Sequence, residues 1–292
     1  MSVRVLVTGA TGFTGSYVVP LLLQQNYRVT CLVRAQSVTT SLPVNEIELV
    51  VGDLNDRDSL VAAFRGADAL VNVASLGFGH APNVVEAALN AGIRRNIFVS
   101  TTAVTTTLNA SSKRVRLAAE ETIRQSGLAY TILRPTMIFG SSRDRNISRL
   151  IQYLNRWPVV PVVGAGEHLQ QPVYVGDVAS AIVQALGCDT AIGKIYSISG
   201  KAAVTYNELI DTICSLLERK VRKVYIPATP VLSVLRLLEA FSVKLPIKAE
   251  QIERLNEDKA FDYTPAQQDF GYQPISLLAA LQLQLGEMRL TE

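Results

Sequence analysis

Short apolar runs alternate with amphipathic segments through the first half of the chain. The apolar runs predict six buried β-strands, at residues 3–7, 28–33, 47–51, 69–73, 96–100 and 130–133. Helical periodicity predicts helices between them, at residues 16–25, 57–64, 82–91 and 114–125. Strands that are apolar along their whole length are typical of a parallel sheet covered on both faces. The alternation therefore predicts an α/β protein whose doubly wound parallel sheet is built from right-handed crossovers.

The regular alternation ends near Gly140. A proline-rich stretch at 157–161, a short strand ending at Val175, a helix from Asp177 and a helix over 206–217 follow. We expect Asp177 to cap the helix that begins there. No linker rich in proline, glycine or serine divides the chain. We therefore predict a first domain over residues 1–140 and a smaller substrate lobe over residues 141–292 that is interleaved with the sheet.

The composition is that of a compact globular protein with a large core. Of the 292 residues, 48% are hydrophobic, and the net charge of +3 is too small to favour a nucleic-acid partner. The three cysteines have no C-x-x-C spacing, so we expect buried free thiols, and no His, Cys or carboxylate cluster has the spacing of a metal site. No apolar stretch reaches the ~20 residues of a membrane span, and no signal peptide precedes the first strand. We therefore expect a cytoplasmic protein.

A glycine-rich turn joins the first strand to the first helix, with the sequence TGATGFTG at residues 8–15. Gly9 permits a tight turn, Gly12 lets the backbone approach a phosphate, and Gly15 lets helix and strand pack closely. The spacing is G-x-x-G-x-x-G, but a strand before and a helix after are the context in which a dinucleotide pyrophosphate binds. The turn predicts a Rossmann-type NAD(P) site. Its loop residues are Gly9, Thr11, Gly12, Phe13, Thr14 and Gly15.

Residues at the ends of later strands extend this predicted site. Arg34 follows the second strand and no acid lies nearby, so we expect NADP(H) to be preferred over NAD(H), because arginine favours the 2′-phosphate. Alternatively, Arg34 only solvates the strand end or stacks on the adenine. Asp53, followed by Leu54, comes after the third strand and either accepts from the adenine amino group or is a turn residue before the next helix. Ala74 and Ser75 would run along the middle of the cofactor.

Together with several later segments, these features resemble the short-chain dehydrogenases/reductases of the extended or atypical type, the superfamily of nucleotide-sugar epimerases and dehydratases. The segments are GDL at 52–54, STT at 100–102, LRP at 133–135, FG at 139–140, QPVYVGDVA at 171–179, KA at 259–260 and FGYQP at 270–274. The resemblance covers nearly the whole chain. It implies that Pro135 and Met137 lie against the nicotinamide, and that the chain forms homodimers through the helices after the fourth and fifth strands.

The catalytic segment departs from that superfamily. There, a Tyr-x-x-x-Lys pair on the helix after the fifth strand performs the acid/base step, and a Ser or Thr after that strand orients the substrate carbonyl. The resemblance gives the second role to Thr101 and Thr102. The tyrosine is absent, since no tyrosine lies between Ser75 and Ala129.

Two registers are open for the remaining pair. In the first, Lys113 is the superfamily lysine and Asn109 occupies the tyrosine position. In the second, Glu120 is the acid that follows the lysine by four residues, so that Ser112 and Arg116 form the pair. Neither asparagine nor serine carries a proton that titrates as a phenol does.

Other candidates are spread over two segments. His80 follows the fourth strand, close to the expected nicotinamide, and is either a titrating group or a structural loop residue. Arg143, Arg145 and Arg149 are either suited to a substrate pyrophosphate or part of a solvated helix face. The segment 230–246 is very apolar. It packs on its own domain, covers the substrate, pairs with a partner or touches a membrane surface.

Two functions from different classes follow. The sequence favours an NADP(H)-dependent oxidoreductase or epimerase that acts on a nucleotide-sugar-like keto substrate held by Thr101 or Thr102. The alternative is a non-catalytic NAD(P)(H)-binding sensor or assembly subunit, which the missing tyrosine favours. A third interpretation is an isomerase or reductase for an apolar substrate such as a quinone or a phenolic ether. The fold alone does not decide between them.

Overall fold

The computed structural model describes residues 2–107, 111–240, 253 and 257–289. The strands are β1 (Arg4–Thr8), β2 (Arg28–Val33), β3 (Glu48–Val51), β4 (Ala69–Asn72), β5 (Arg95–Val99), β6 (Tyr130–Pro135), β7 (Ile138–Phe139), β8 (Val159–Val163), β9 (Leu169–Gln170), β10 (Val173–Tyr174), β11 (Lys194–Ile198), β12 (Val204–Thr205) and β13 (Arg222–Ile226). The helices are α1 (Gly15–Gln24), α2 (Arg57–Phe64), α3 (Ala81–Asn90), α4 (Ser111–Gln125), α5 (Ile147–Arg156), α6 (Val175–Leu186), α7 (Tyr206–Leu216), α8 (Ala228–Ala240), α9 (Thr264–Phe270) and α10 (Leu277–Arg289).

A seven-stranded sheet with the order β11-β6-β5-β4-β1-β2-β3 forms the centre of the molecule. All neighbouring pairs in it are parallel. The strand order reverses between β1 and β4, and ligands of such sheets bind at the carboxyl ends of the strands beside this point. The predicted doubly wound parallel sheet is therefore confirmed, and so are its first six strands, to within two residues at each end.

The sequence did not predict β11, which forms one edge of the sheet next to β6. Its five residues include Lys194 and Ser197, and only two of its side chains are buried. An edge strand that is apolar at alternate positions lacks the continuous apolar run that identified the central strands.

Helices cover both faces of the sheet. The apolar residues of α1 and α6 pack on one face, and those of α2, α3 and α4 pack on the other. On the outer side, Leu89 of α3 and Leu117 of α4 are exposed. The homodimer through these helices stays a prediction.

The C-terminal half contributes to the sheet and also builds a separate core. Helix α6 and strand β11 belong to the sheet layers, whereas α5, α7, α10 and β8 form a third apolar cluster beyond the carboxyl ends of the strands. Short strand pairs complete this lobe, with β7 beside β10, β9 beside β12 and β8 beside β13. The division of the chain at residue 140 stays a prediction.

Asp177 does not cap α6, contrary to the sequence-based expectation. The helix begins two residues earlier, at Val175, and its cap residue Tyr174 makes no side-chain cap bond. The Asp177 carboxylate is buried in the first turn, where Oδ2 accepts the N–H of Ile275 at 3.0 Å. Burial raises the pKa of Asp177 to about 6. The residue therefore ties α6 to the segment before α10 instead of starting the helix.

We predict that Asp177→Asn stabilises the protein at high pH. Since the folded pKa of about 6 lies above the ordinary value, the charged carboxylate destabilises the folded chain as the pH rises through that range. Asparagine still accepts from Ile275 and avoids a cost of up to about 3 kcal/mol at pH 8. Urea unfolding of both proteins should show this gain at pH 8 and no difference near pH 4. A gain that is the same at both values would contradict the assignment.

Three further features bear on the sequence-based expectations. All three cysteines are free, and Cys31 and Cys214 are buried as expected, whereas Cys188 is only partly buried. Over the described residues, no group of three or more His, Cys, Asp or Glu side chains is placed to hold a metal ion. No helix in the described ranges has both the length and the apolar composition to cross a membrane.

Candidate functional site

The glycine-rich turn lies at the point where the strand order reverses, and two of its glycines are required by their surroundings. Gly9 has φ +71°, and a Cβ there would lie 2.6 Å from the backbone nitrogen of Ala74 at the end of β4. A Cβ on Gly15 would lie 2.2 Å from the carbonyl oxygen of Gly9. Any side chain at either position would force the backbone apart. The tight turn and the close helix packing predicted for these two glycines are therefore present.

Gly12 differs from them because it faces outward. It is exposed, and a Cβ there would meet only the carbonyl oxygen of Gly9, at 3.1 Å. Beside it, Thr14 precedes α1 and its hydroxyl makes no cap bond. The N–H groups of Ser16 and Tyr17 already donate to the carbonyl oxygens of Gly12 and Thr14, so the positive potential at this end comes from the helix dipole. The open space outside Gly12 therefore fits a dinucleotide pyrophosphate.

Phe13 and Thr11, two other residues of the glycine-rich turn, contact neighbouring side chains. Phe13 packs edge-to-face on Tyr17, with ring centroids 6.0 Å apart. The carbonyl oxygen of Thr11 accepts a hydrogen bond from Nη2 of Arg143 at 2.8 Å, and Nη1 of Arg143 donates to Oγ of Ser16 at 3.0 Å. A guanidinium at the positive end of a helix is unfavourable unless an anion lies beside it. Arg143 thus adds positive charge where the pyrophosphate would bind.

This contact separates Arg143 from the other two arginines of the predicted substrate group. Arg145 and Arg149 are exposed to solvent. The three guanidinium groups therefore do not share one set of contacts, and Arg143 belongs with the glycine loop. The role of all three toward a substrate stays a prediction.

At the carboxyl ends of β2 and β3, charged groups of opposite sign lie together. Arg34 is exposed, and its backbone N–H donates to Oγ of Ser37 at 3.1 Å. Oδ1 of Asp53 accepts from the backbone N–H of Asn55, which lowers the pKa of Asp53, and the charges of Arg34 and His80 lower it further. Asp53 is thus a turn residue, with its carboxylate still at the adenosine end of the site.

Leu54 and Asp56 follow Asp53 in the turn between β3 and α2. Asp56, not Asp53, caps α2 by accepting from the N–H groups of Asp58 and Ser59. Leu54 is half-buried against the core, and its carbonyl oxygen accepts from Nδ2 of Asn83 on α3 at 3.0 Å.

The position of His80 near the nicotinamide stays a prediction. His80 directly precedes α3, and its charge interacts with that of Asp53, which follows the edge strand β3. Burial lowers the pKa of His80, and the carboxylate of Asp53 partly opposes this. The β3 end and the ends of β5 and β6 lie in opposite halves of the sheet.

Hydroxyl groups occupy the ends of β4 and β5 as the resemblance implied. Thr101 is partly exposed, and its Oγ1 accepts the N–H of Ala103 at 3.2 Å. Thr102 is buried, and its hydroxyl donates to the carbonyl oxygen of Pro135 at 3.4 Å. Oγ of Ser75 accepts the N–H of Gly77 at 3.2 Å. Of the two threonines, only Thr101 is therefore placed to reach a ligand.

The geometry of α4 favours the second register. Glu120 is buried and bonded to two groups from neighbouring strand ends, the Ser100 hydroxyl at 2.5 Å and the Arg134 guanidinium, whose Nε lies at 3.1 Å. Arg116, one helical turn earlier, lies against the loop after β4, since a Cβ at Gly77 would lie 3.1 Å from its Cζ.

The Lys113 side chain bonds to the loop after β5. Its ammonium group donates to the carbonyl oxygen of Thr106. Asn109, the tyrosine position of the first register, lies outside the described residues. In the second register, the carbonyl oxygen of Ser112 accepts from Nη1 of Arg116 at 3.3 Å. Arg116 is therefore the cation beside the predicted middle of the cofactor.

Two tyrosines, Tyr174 and Tyr17, line a separate cavity. The ring of Tyr174 packs against Gly140 and Gly176, and it lines a cavity of about 540 Å³ between α1, α6 and α10 that also borders Tyr17 and Asp177. The hydroxyl of Tyr17 donates to Oε2 of Glu287 at 2.7 Å, and burial raises its pKa above the ordinary range.

The predicted position of Pro135 and Met137 against the nicotinamide stays a prediction. Pro135 is buried as the last residue of β6, and Met137 is half-buried against the core of the lobe. Strand β6 lies beside β5, after which Thr101 follows, so the end of β6 joins the sheet to the lobe.

Comparison with known proteins agrees with this site. A family model described as NAD(P)H-binding matches residues 9–188. The chain is 30% identical over 254 residues to the ceramide reductase of Caulobacter vibrioides, covering 82% of this chain and 78% of that one. It is 27% identical over 276 residues to mitochondrial NADH dehydrogenase [ubiquinone] 1 alpha subcomplex subunit 9 of Arabidopsis thaliana, covering 87% and 68% respectively.

Solved structures share the fold. The crystal structure of gox2253 superposes with a TM-score of 0.83 at 24% identity and covers 100% of this chain and 99% of that one. Epimerases and a dehydratase are among the other structures of the same fold. The resemblance stated from the sequence motifs is therefore confirmed for the family and the fold.

Proposed function

The chain belongs to the NAD(P)H-binding family, and we propose that it is an NADP(H)-dependent oxidoreductase that interconverts a carbonyl and a hydroxyl on an apolar, lipid-like substrate. The observation that carries the cofactor assignment is the glycine loop, whose outward face at Gly12 is open while Arg143 and the N-terminus of α1 add positive charge. The exposed Arg34, with no acid at the end of β2, supports NADP(H) over NAD(H).

Each group of the site has a task in this proposal. A bound nicotinamide supplies hydride chemistry. The glycine loop and Arg143 hold the pyrophosphate, Arg34 binds the 2′-phosphate, and Asp53 accepts from the adenine amino group. The hydroxyl of Thr101 orients the substrate carbonyl, and the guanidinium of Arg116 holds the nicotinamide ribose and stabilises negative charge on the carbonyl oxygen.

The proton source follows from what the site lacks. Arginine stays protonated above pH 12 and so does not act as the acid. The charge of His80 interacts with that of Asp53, which follows β3. We therefore propose that the alkoxide formed by hydride transfer takes its proton from the bulk solvent, relayed through water at the Thr101 hydroxyl that is re-protonated from the solvent, in place of the superfamily tyrosine.

An apolar substrate is supported by two observations. Arg143 contacts the cofactor loop, and Arg145 and Arg149 are exposed, so the arginines do not converge on a second pyrophosphate. The relative with 30% identity is a ceramide reductase. The nucleotide-sugar-like keto substrate predicted from the sequence is the competing class.

NADPH consumption at 340 nm distinguishes the two substrate classes. The assay compares a long-chain keto lipid in detergent micelles with a nucleotide 4-keto-sugar. We expect kcat/KM to be at least about tenfold higher for the lipid, because an apolar pocket gains free energy with each methylene it buries. The reverse order would assign the sugar nucleotide.

A non-catalytic role is the second candidate. The absence of a tyrosine between Ser75 and Ala129 favours it, and one relative is a subunit of NADH dehydrogenase. In that case the chain binds NADPH with the same residues and oxidises none of it with either substrate class.

We predict that Arg34→Asp lowers the ratio of NADPH to NADH affinity by about 100-fold. The change removes a charge-assisted bond to the 2′-phosphate and places a like charge beside it. Fluorescence titration with both cofactors measures the ratio, and Arg28→Asp, at the opposite end of β2, is the matched control. An unchanged ratio would exclude Arg34 as the 2′-phosphate ligand.

We expect Arg143→Gln to weaken NADPH and NADH equally, by about tenfold, since the pyrophosphate is common to both. The same titration measures this, and the exposed neighbour Arg145 provides the control variant Arg145→Gln. If Arg143→Gln leaves both affinities unchanged and raises only the substrate KM, Arg143 binds the substrate as the sequence first indicated.

A further inference from the structure

An apolar face is exposed on the two-stranded sheet of the C-terminal lobe. β8 and β13 pair in parallel, with Val159 opposite Arg222 and Pro161 opposite Val224. Val160 and Val162 are buried, so their neighbours in β8 point to the other side of the sheet. On that outer side, Val159 and Val224 are each 41% exposed.

Helix α8 continues this face. It begins two residues after β13 ends and is apolar at most positions, yet none of its side chains described at 228–236 is buried. Val234 is 55% exposed. An amphipathic helix in a globular domain normally buries its apolar side against the core. In the described part of α8, Val231, Leu232 and Leu235 are only partly buried, and which sequence-based alternative holds for residues 230–246 stays a prediction.

Cations and an aromatic residue lie at the end of the sheet face where β8 and β13 begin, opposite to α8. Trp157, which precedes β8, is 50% exposed, and the guanidinium of Arg156 lies 5.6 Å from its ring centroid. The strand ends here, residues 156–159 and 218–222, carry four exposed cations and one acid, Glu218. The cations are Arg156, Arg219, Lys220 and Arg222.

We propose that this surface, made of Trp157, the outer side of β8 and β13, and α8, binds membranes that contain anionic lipids. Tryptophan favours the interface between headgroups and acyl chains, because its ring is apolar and its N–H is polar. At the opposite end of the sheet face, the apolar residues of α8 described at 228–236 would bury in the same layer, and the cations bind the anionic headgroups. The net charge of the strand ends complements a negative lipid surface. The proposal holds whether or not the chain reduces a substrate.

Trp157 provides the test, because it is the sole tryptophan of the 292 residues. The emission of the full chain is followed during titration with vesicles of phosphatidylcholine containing phosphatidylglycerol, and with vesicles of phosphatidylcholine alone. We expect a blue shift with the anionic vesicles, weaker binding to the neutral ones, and quenching when the acyl chains carry bromine. Added salt should weaken binding, since the headgroup attraction is screened.

Charge reversal makes the test specific. The double variant Lys220→Glu/Arg222→Glu should lower the vesicle partition coefficient at least about tenfold. Arg28→Glu/Arg65→Glu makes the same charge change on exposed residues of the first domain and should leave partitioning near that of the unchanged chain. NADPH affinity and circular dichroism of both variants establish that they are folded.

Three results would overturn the proposal. One is an emission spectrum that anionic vesicles do not change. Another is a vesicle affinity that Lys220→Glu/Arg222→Glu leaves unaltered. The third is a dimer in sedimentation that Val224→Glu converts to monomers without any vesicle effect, since this would assign the face to a second copy of the chain.

Discussion

Gly12→Val should abolish dinucleotide binding and leave the fold intact. The three loop glycines have different surroundings, and only Gly12 combines an exposed position with open space outside it. A valine there fills the volume that the pyrophosphate would occupy at the N-terminus of α1. We expect the Kd for NADPH to rise by more than about 100-fold, the loss of the charge-assisted bonds to the pyrophosphate.

The control for this variant is Gly187→Val. Gly187 follows α6, and a Cβ there would meet nothing closer than 3.9 Å. Gly187→Val should unfold at nearly the same urea concentration as the unchanged chain, whereas Gly12→Val should unfold slightly earlier because its Cβ would lie 3.1 Å from the carbonyl oxygen of Gly9; at zero urea both should be folded, and only Gly12→Val should lose NADPH in a fluorescence titration. Equal NADPH affinity in the two variants would place the cofactor elsewhere.

Glu120→Leu should lower the free energy of unfolding by about 3–5 kcal/mol, because it leaves the Arg134 guanidinium largely buried without its partner. The side chains of Glu120 and Arg134 are 3% and 23% exposed. The carboxylate also accepts from Ser100, so the substitution loosens the ends of β5 and β6 beside Thr101. Denaturant unfolding monitored by circular dichroism measures the loss.

The neighbouring Glu121 offers a matched control. It pairs with Arg124 on the exposed side of α4, and such surface pairs contribute at most about 1 kcal/mol. Glu121→Leu should therefore change the free energy of unfolding little. If Glu120→Leu and Glu121→Leu lowered the free energy of unfolding equally, the bonds of Glu120 to Ser100 and Arg134 would not be the contacts that hold α4 on the sheet.

The central sheet and the glycine loop could be predicted because their signals are local. The first six strands are apolar along most of their length, since helices cover both faces of the sheet. The loop needs glycine at Gly9 and Gly15 for steric reasons that involve only adjacent elements. Such features are visible in a short stretch of sequence.

Features that depend on distant parts of the chain could not be predicted. Arg143 contacts Thr11 across 132 positions, and Asp177 accepts from Ile275 across 98. No pattern in a short stretch of sequence indicates which loop contacts which strand end. The interaction of His80 with Asp53 could not be predicted for the same reason, since it depends on how the loop after β4 turns toward β3. A charged residue near a strand end could therefore be identified as functional, but its partner could not.

Transfer of deuterium from NADPH labelled at C4 tests the central claim most directly. The labelled cofactor is mixed with the protein and a long-chain keto lipid for a single turnover, and the product is examined by mass spectrometry. The proposed oxidoreductase predicts one deuterium on the former carbonyl carbon and loss of absorbance at 340 nm. If NADPH binds but keeps its absorbance and no lipid or sugar ketone acquires deuterium, the chain is a cofactor-binding subunit or sensor, and the oxidoreductase assignment is wrong.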